Sequence, residues 1–191
     1  MIPGRPAALI GAFWLLWALY WLVSARSLKP VRQREALTSR VTFIVVMLLA
    51  AALLRGGHHR LHWLQTQWIG GGWARYWVAV ALVVAGLSFS VWARRTLGGN
   101  WSGTVSLKVD HELVQTGPYR RIRHPIYTGL LLAVFGSALA AGRLYGMAAF
   151  LLVALALCWR LRVEERWMAG EFGQRYEAYR HSSWALIPFV F

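Results

Sequence analysis

The sequence is poor in acid, in charge of any kind and in cysteine. Its 191 residues include 7 Asp and Glu and a single Cys, and charged residues make up only 15%. Soluble domains carry about a quarter charged and about half apolar residues. At 15% charge and 58% hydrophobic residues, a water-soluble enzyme of ordinary composition is excluded. Cys158 stands alone in an apolar run, which excludes an internal disulfide and a cysteine metal cluster. There is no internal repeat, no low-complexity tract and no stretch long enough for a separate soluble domain.

Base and tryptophan are abundant. The 21 Lys and Arg give a formal net charge of +14, and there are 12 Trp and 7 Tyr. Such rings gather at the two water interfaces of membrane chains. The charge alone fits nucleic acid, anionic lipid or membrane topology.

Five apolar runs predict five transmembrane helices: Ala7 to Ala25, Val41 to Leu54, Tyr76 to Ala93, Pro125 to Gly142 and Leu144 to Trp159. The first, at about 1.5 Å per residue, approaches the roughly 30 Å hydrocarbon thickness. A cleaved signal peptide is the alternative. The bulky Phe13, Trp14, Trp17 and Tyr20 and the lack of an Ala-x-Ala site argue against it. Only Gly142 and Arg143 separate the last two runs, which implies an antiparallel hairpin.

Alternate loops hold five and sixteen of the Lys and Arg, so the positive-inside rule puts the N-terminus outside and the C-terminus in the cytosol. The expected setting is a membrane of the bacterial inner type. Basic cytosolic loops beside anionic headgroups account for most of the charge, and no nucleic-acid module accompanies it. The fold class expected is therefore an all-α polytopic membrane protein with a cytosolic C-terminal amphipathic helix. In the fourth run Gly129, Ala133, Ser137 and Ala141 recur every four residues, a stripe that admits a close neighbouring helix.

Two polar segments could carry chemistry. The first ends in Gly117-Pro118-Tyr119-Arg120-Arg121-Ile122-Arg123-His124-Pro125-Ile126-Tyr127-Thr128-Gly129. Gly117-Pro118 is a turn, Pro125 suits a first helical position, and His124 is held just before it. The unpaired amides of that helix start suit a carboxylate or phosphate. The plainer reading makes the arginines topology anchors and His124 a cap. The second segment holds Glu164 and Glu165 among Arg160, Arg162 and Arg166. Neighbouring helical residues point about 100° apart, so one glutamate faces the bundle and the other water. A surface salt-bridge cluster is the bland account; a cationic ligand is the sharper one.

The hairpin returns both segments to one cytosolic face. A ligand with a carboxylate, an amine and a delocalised positive centre would match the helix start, a glutamate and the rings of Tyr119, Tyr127 and Trp167. S-adenosylmethionine has all three.

Leu113-Val114, Gly117-Pro118-Tyr119, Arg123-His124-Pro125-Ile126-Tyr127-Thr128-Gly129, the apolar hairpin, Glu164-Glu165, and Phe172-Gly173 with Tyr176 and Tyr179 together resemble the isoprenylcysteine carboxyl methyltransferase family. Membrane phospholipid methyltransferases share the His-Pro and Glu-Glu signature. The resemblance covers about residues 97 to 191 and implies that this half binds S-adenosylmethionine while residues 1–96 supply three membrane helices. It further implies cofactor contacts at His111, Glu112, Leu113, Val114, Tyr119, His124, Pro125, Ile126, Tyr127 and Glu164, with Glu165 as motif partner. Arg160 or Arg162 would orient an acceptor carboxylate, and Asn100-Trp101 resembles the family's aromatic approach to the site. Ser102 to Asp110 is shorter than in eukaryotic members, which affects the substrate end.

The expected reaction is methyl transfer to a lipid-like acceptor, with a carboxylate favoured, a phospholipid amine as the alternative and a hydroxyl also compatible. An ionised carboxylate needs no general base; an amine or hydroxyl would need His124, Glu165 or solvent to take its proton. The rivals are a nicotinamide-dependent membrane reductase and a noncatalytic transporter or scaffold. His58, His59 and His62 include a metal-compatible i, i+4 pair but no nearby carboxylate, so no metal is expected. Phe172, Tyr176 and Tyr179 are expected to pack the tail helix on the bundle or interface, with cofactor contact as the lesser alternative, and Trp184 to Phe191 to dock back onto the bundle.

Overall fold

A computed structural model describes residues 4–24, 30–55, 61–101, 106–108 and 112–188. Five apolar helices form the body: α1 (Gly4–Ser24), α2 (Leu37–Leu54), α3 (Trp73–Leu97), α4 (Pro125–Ala141) and α5 (Leu144–Phe172). Four are long and apolar enough to cross a membrane. The fourth in chain order, α4, has 17 residues and lies at the short end of the spanning range. Pro125 starts α4 and Gly142, at φ 62°, ends it in the left-handed conformation that glycine adopts without strain. The chain then turns through Arg143 straight into α5.

Two elements differ from expectation. The polar tail does not begin at Arg160: α5 continues for 29 residues, about 43 Å, so its last turns rise beyond a hydrocarbon layer of about 30 Å. Gly173, at φ 50°, breaks it, and the 8-residue α6 (Gln174–His181) follows. There is also a short antiparallel ladder, β1 (Val31–Arg34) with β2 (Ser106–Lys108). Helical periodicity gives no signal for it, because both strands lie in polar connections.

The connections sort by side. The first and third are tied by β1 and β2, and the third and the tail by a bridge between Ile122 and Trp184. The second and fourth meet at the other end, where Gln67 bridges Arg143, Trp68 N donates to Gly142 O and Leu144 N to Thr66 O. This alternation is the one that sorted the basic residues sixteen to five.

The core rests on the approach of α3 to α4. Gly86 and Gly129 face each other, and a methyl added at Gly129 would stand 2.5 Å from Gly86 O and 2.8 Å from Ser90 N. Ala133 continues the small-residue stripe against Gly86, while Ser137 accepts from Trp14 Nε1 at 3.0 Å. Trp17 Nε1 donates to Ser90 Oγ at 2.8 Å, so two indoles of α1 are fixed by hydroxyls on α4 and α3. Arg94 clamps the other end, donating to Ser24 O at 2.7 Å and Gly98 O at 2.8 Å with its guanidinium over the Trp101 ring. Gly86→Ala is expected to destabilise the protein by about 1–3 kcal/mol through overpacking against backbone. Gly11→Ala, where added carbon meets nothing within 4 Å, should leave thermal unfolding in detergent unchanged.

Candidate active site

The turn ahead of α4 is built by backbone from the tail. Trp184 O accepts from Arg123 N at 2.8 Å, Ala185 O from His124 N at 3.1 Å, and Trp184 N donates to Arg121 O at 2.9 Å. Thr128 Oγ1 secures Leu186 O at 2.8 Å. The predicted re-docking of this segment is thus what holds His124 in place. Because Pro125 has no N–H, Ile126 and Tyr127 carry the first amides without an intrahelical partner.

Against this turn α5 presents its two acids. Glu164 Oε2 lies 3.4 Å from His124 Nδ1, Glu164 Oε1 lies 3.6 Å from Arg160 Nε, and the Tyr127 hydroxyl donates to Glu164 Oε1. Glu165 turns the other way: its Oε1 accepts from Arg123 Nε at 2.7 Å and lies 3.4 Å from His124 Nε2. Neither glutamate faces open water, contrary to expectation, because Arg123 folds over Glu165 while its Nη1 reaches Arg180 O and Ser183 O. Burial lowers the affinity of the His124 imidazole for its proton, but hydrogen bonding and charge from both glutamates outweigh this and raise its pKa above the usual value. Burial keeps the phenols of Tyr119 and Tyr176 neutral and pushes Tyr179 up to about 12.

A cavity of about 380 Å³ lies between these groups, within the range of small-molecule sites. Its polar end is lined by His124, Tyr127, Glu164 and Arg160 from the hairpin, and by Asn100 and Glu112 from the third connection. Trp17 and Trp21 of α1, stacked at 4.3 Å, form an aromatic wall with Trp101, and Phe43 and Met47 of α2 form an apolar one. Asn100 Oδ1 is buried with no hydrogen-bond partner among the described residues, an acceptor left for a ligand.

Most sequence-predicted residues converge here. Glu112, Leu113, Val114, Tyr119, His124, Ile126, Tyr127, Glu164 and Arg160 line the cavity, as do Trp167 and the Asn100-Trp101 pair. Pro125 is buried behind them, and Glu165 holds Arg123 and His124 without lining the space. Arg162 is exposed and points away: it lies two residues from Arg160 on one helix, so only one of the pair can face inward. His111, His58 and His59 lie outside the described residues, and His62 is exposed at the start of a short helical turn, His62–Gln65. Tyr176 and Tyr179, for which the sequence favours packing over cofactor contact, line the cavity, while Phe172 stays at the end of α5. Sequence reasoning missed the wall from α1, although Trp14, Trp17 and Trp21 recur at helical spacing. It also missed Arg123 as the partner of Glu165, and Glu35, which had no local signal.

The raised His124 pKa has a consequence for stability. Its contribution is fully present below the unfolded value of about 6.5 and is lost as pH rises through the higher folded value. The thermal unfolding temperature of the unliganded protein in detergent is expected to fall as pH rises above about 6.5. His124→Gln should flatten the profile in that window.

The chain is similar to several known proteins. The yeast Saccharomyces cerevisiae protein-S-isoprenylcysteine O-methyltransferase is 32% identical over 112 residues, 57% of this chain and 47% of that protein. Methanethiol S-methyltransferase 2 of Bradyrhizobium diazoefficiens is 39% identical over 77 residues, 38% of this chain and 27% of that one. The chain thus spans about half the length of the yeast relative or less of these proteins. In fold it is similar to the eukaryotic intramembrane Ras methyltransferase, isoprenylcysteine carboxyl methyltransferase. The TM-score is 0.56 at 24% identity, over 80% of this chain and 52% of that structure. The family model for phospholipid methyltransferase matches residues 74–175, more than half of the chain and the whole helical hairpin with both motifs, so the chain belongs to the phospholipid methyltransferase family.

Proposed function

We propose that the protein is an integral membrane methyltransferase that takes its methyl group from S-adenosylmethionine and passes it to a lipid-like acceptor at the cytosolic face. The observation that carries this reading is the meeting of His124 and Glu164 at 3.4 Å on the wall of a cavity that is aromatic and apolar elsewhere. The residues fit the cofactor. Glu164 and Glu112 are carboxylates for its ammonium and hydroxyl groups, the Ile126 and Tyr127 amides suit its carboxylate, and Trp101, Tyr119 and Trp167 offer faces to its cation. When bound, the cofactor supplies a methyl group already activated on a sulfonium.

The chain's own part is positioning and exclusion of water. Tyr127 and His124 fix the Glu164 carboxylate, and Tyr179, whose hydroxyl donates to the backbone Tyr119 O at 2.5 Å, holds the main chain at Tyr119. Trp17, Phe43 and Met47 come from membrane helices, which puts the acceptor's tail on the bilayer side. The basic connections, the tail and the polar end of the cavity share the side read as cytosolic. The names of the relatives include both oxygen and sulfur acceptors, and the family name refers to phospholipids. The carboxylate favoured by the resemblance depends on Arg160, the arginine that lines the cavity.

Glu164→Gln is expected to weaken S-adenosylmethionine binding in calorimetry by about tenfold to a hundredfold, since a hydrogen bond to a charged group contributes about 1.5–3 kcal/mol. Arg162→Ala should leave it unchanged. Equal affinity of wild type and Glu164→Gln would remove the basis of the reading.

A further inference from the structure

Glu35 stands in the two-residue connection between β1 and α2, outside the family-matched residues 74–175. It is one of 7 acids in the chain, and its side chain is only 3% exposed. Ser39 Oγ donates to its Oε2 at 2.5 Å, and its Oε1 lies 3.4 Å from Arg160 Nη2. Arg160 is equally enclosed: Glu164 is 3.6 Å from its Nε, and its guanidinium carbon sits 4.4 Å above the Phe43 ring.

An arginine grips a carboxylate best through two parallel N–H groups. A guanidinium offers two such forks, one pairing Nη2 with Nε and one pairing Nη2 with Nη1. Both include Nη2, the nitrogen that faces Glu35, and Nε faces Glu164. An incoming carboxylate must displace Glu35 and would lie beside two carboxylates in a buried setting, where like charges disfavour one another. An acceptor ending in a thiol or amine meets neither obstacle.

We propose that Glu35 is a specificity-determining residue that keeps carboxylates off Arg160, so that the acceptor carries no carboxylate at its reacting end. This rests on the methyl-transfer reading and narrows its acceptor. The acceptor heteroatom bonds to the methyl carbon, the sulfonium sulfur keeps the pair of the broken bond, and the acceptor's proton leaves to a base. That base is solvent, since Glu164 is already held by His124, Tyr127 and Arg160.

Two probes with one tail test the proposal: dodecanethiol, a thiol acceptor without a carboxylate, and N-acetyl-S-dodecylcysteine, a thioether whose one ionised group is a carboxylate. Binding is followed by quenching of tryptophan fluorescence, since Trp101 and Trp167 line the cavity, and transfer by labelled methyl. Wild type should bind and methylate the thiol in preference to the carboxylate probe. Glu35→Gln should tighten the carboxylate probe about tenfold, leaving the thiol and S-adenosylmethionine within about twofold. Ser39→Ala, which loosens Glu35 without removing it, should shift the carboxylate probe in the same direction by less. It serves as the test if Glu35→Gln does not fold. Wild-type preference for the carboxylate probe, or no tightening in either variant, overturns the proposal. Absence of S-adenosylmethionine binding to wild type in calorimetry would instead sink the methyl-transfer reading, and the probe-binding comparison would still report on Glu35.

Discussion

Everything at the polar end of this molecule depends on keeping two consecutive carboxylates on one helix at the membrane edge. Buried ionised groups persist only when opposite charge and hydrogen bonds surround them. Glu164 is met by His124, Tyr127 and Arg160, and Glu165 by Arg123 and His124. His124 therefore stands between the two acids and serves both. That demand explains why the turn before α4 is stapled by the backbone of residues 184–186. A mobile turn would take His124 from both glutamates and Arg123 from Glu165.

The hairpin of α4 and α5 delivers these groups to one place because its reversal takes only Gly142 and Arg143. The Gly86 to Gly129 approach brings α3 close against α4, and hydroxyls on α3 and α4 fix the indoles of α1. Packing at the middle of the bundle and chemistry at its end are thus linked through rigid helices rather than through loops.

Much of this was legible from the sequence because hydropathy and spacing act locally. Apolar runs located five helices, and the two-residue reversal between the last two placed His124 beside Glu164. What could not be read is equally specific. The choice of Arg160 over Arg162 depends on the rotation of α5, and flanking arginines hide that rotation from any periodicity argument. Tyr176 and Tyr179 look like the apolar stripe of a surface helix, because a phenol that lines a cavity and one that packs a core carry the same pattern. The pairing of Glu35 with Arg160 joins residues from connections far apart in the chain, and the β1–β2 ladder lies in polar segments with no alternation.

The wall of the cavity has two origins. The polar end comes from the hairpin, the third connection and α6, whereas Trp17, Trp21, Phe43 and Met47 come from α1 and α2, which precede the family-matched residues. On the proposed reading, a chain divided in this way can drift toward new acceptors by exchanging residues in its first two helices while the polar end of the cavity stays untouched. Divergence of substrate among such proteins then requires no redesign of the family-matched half.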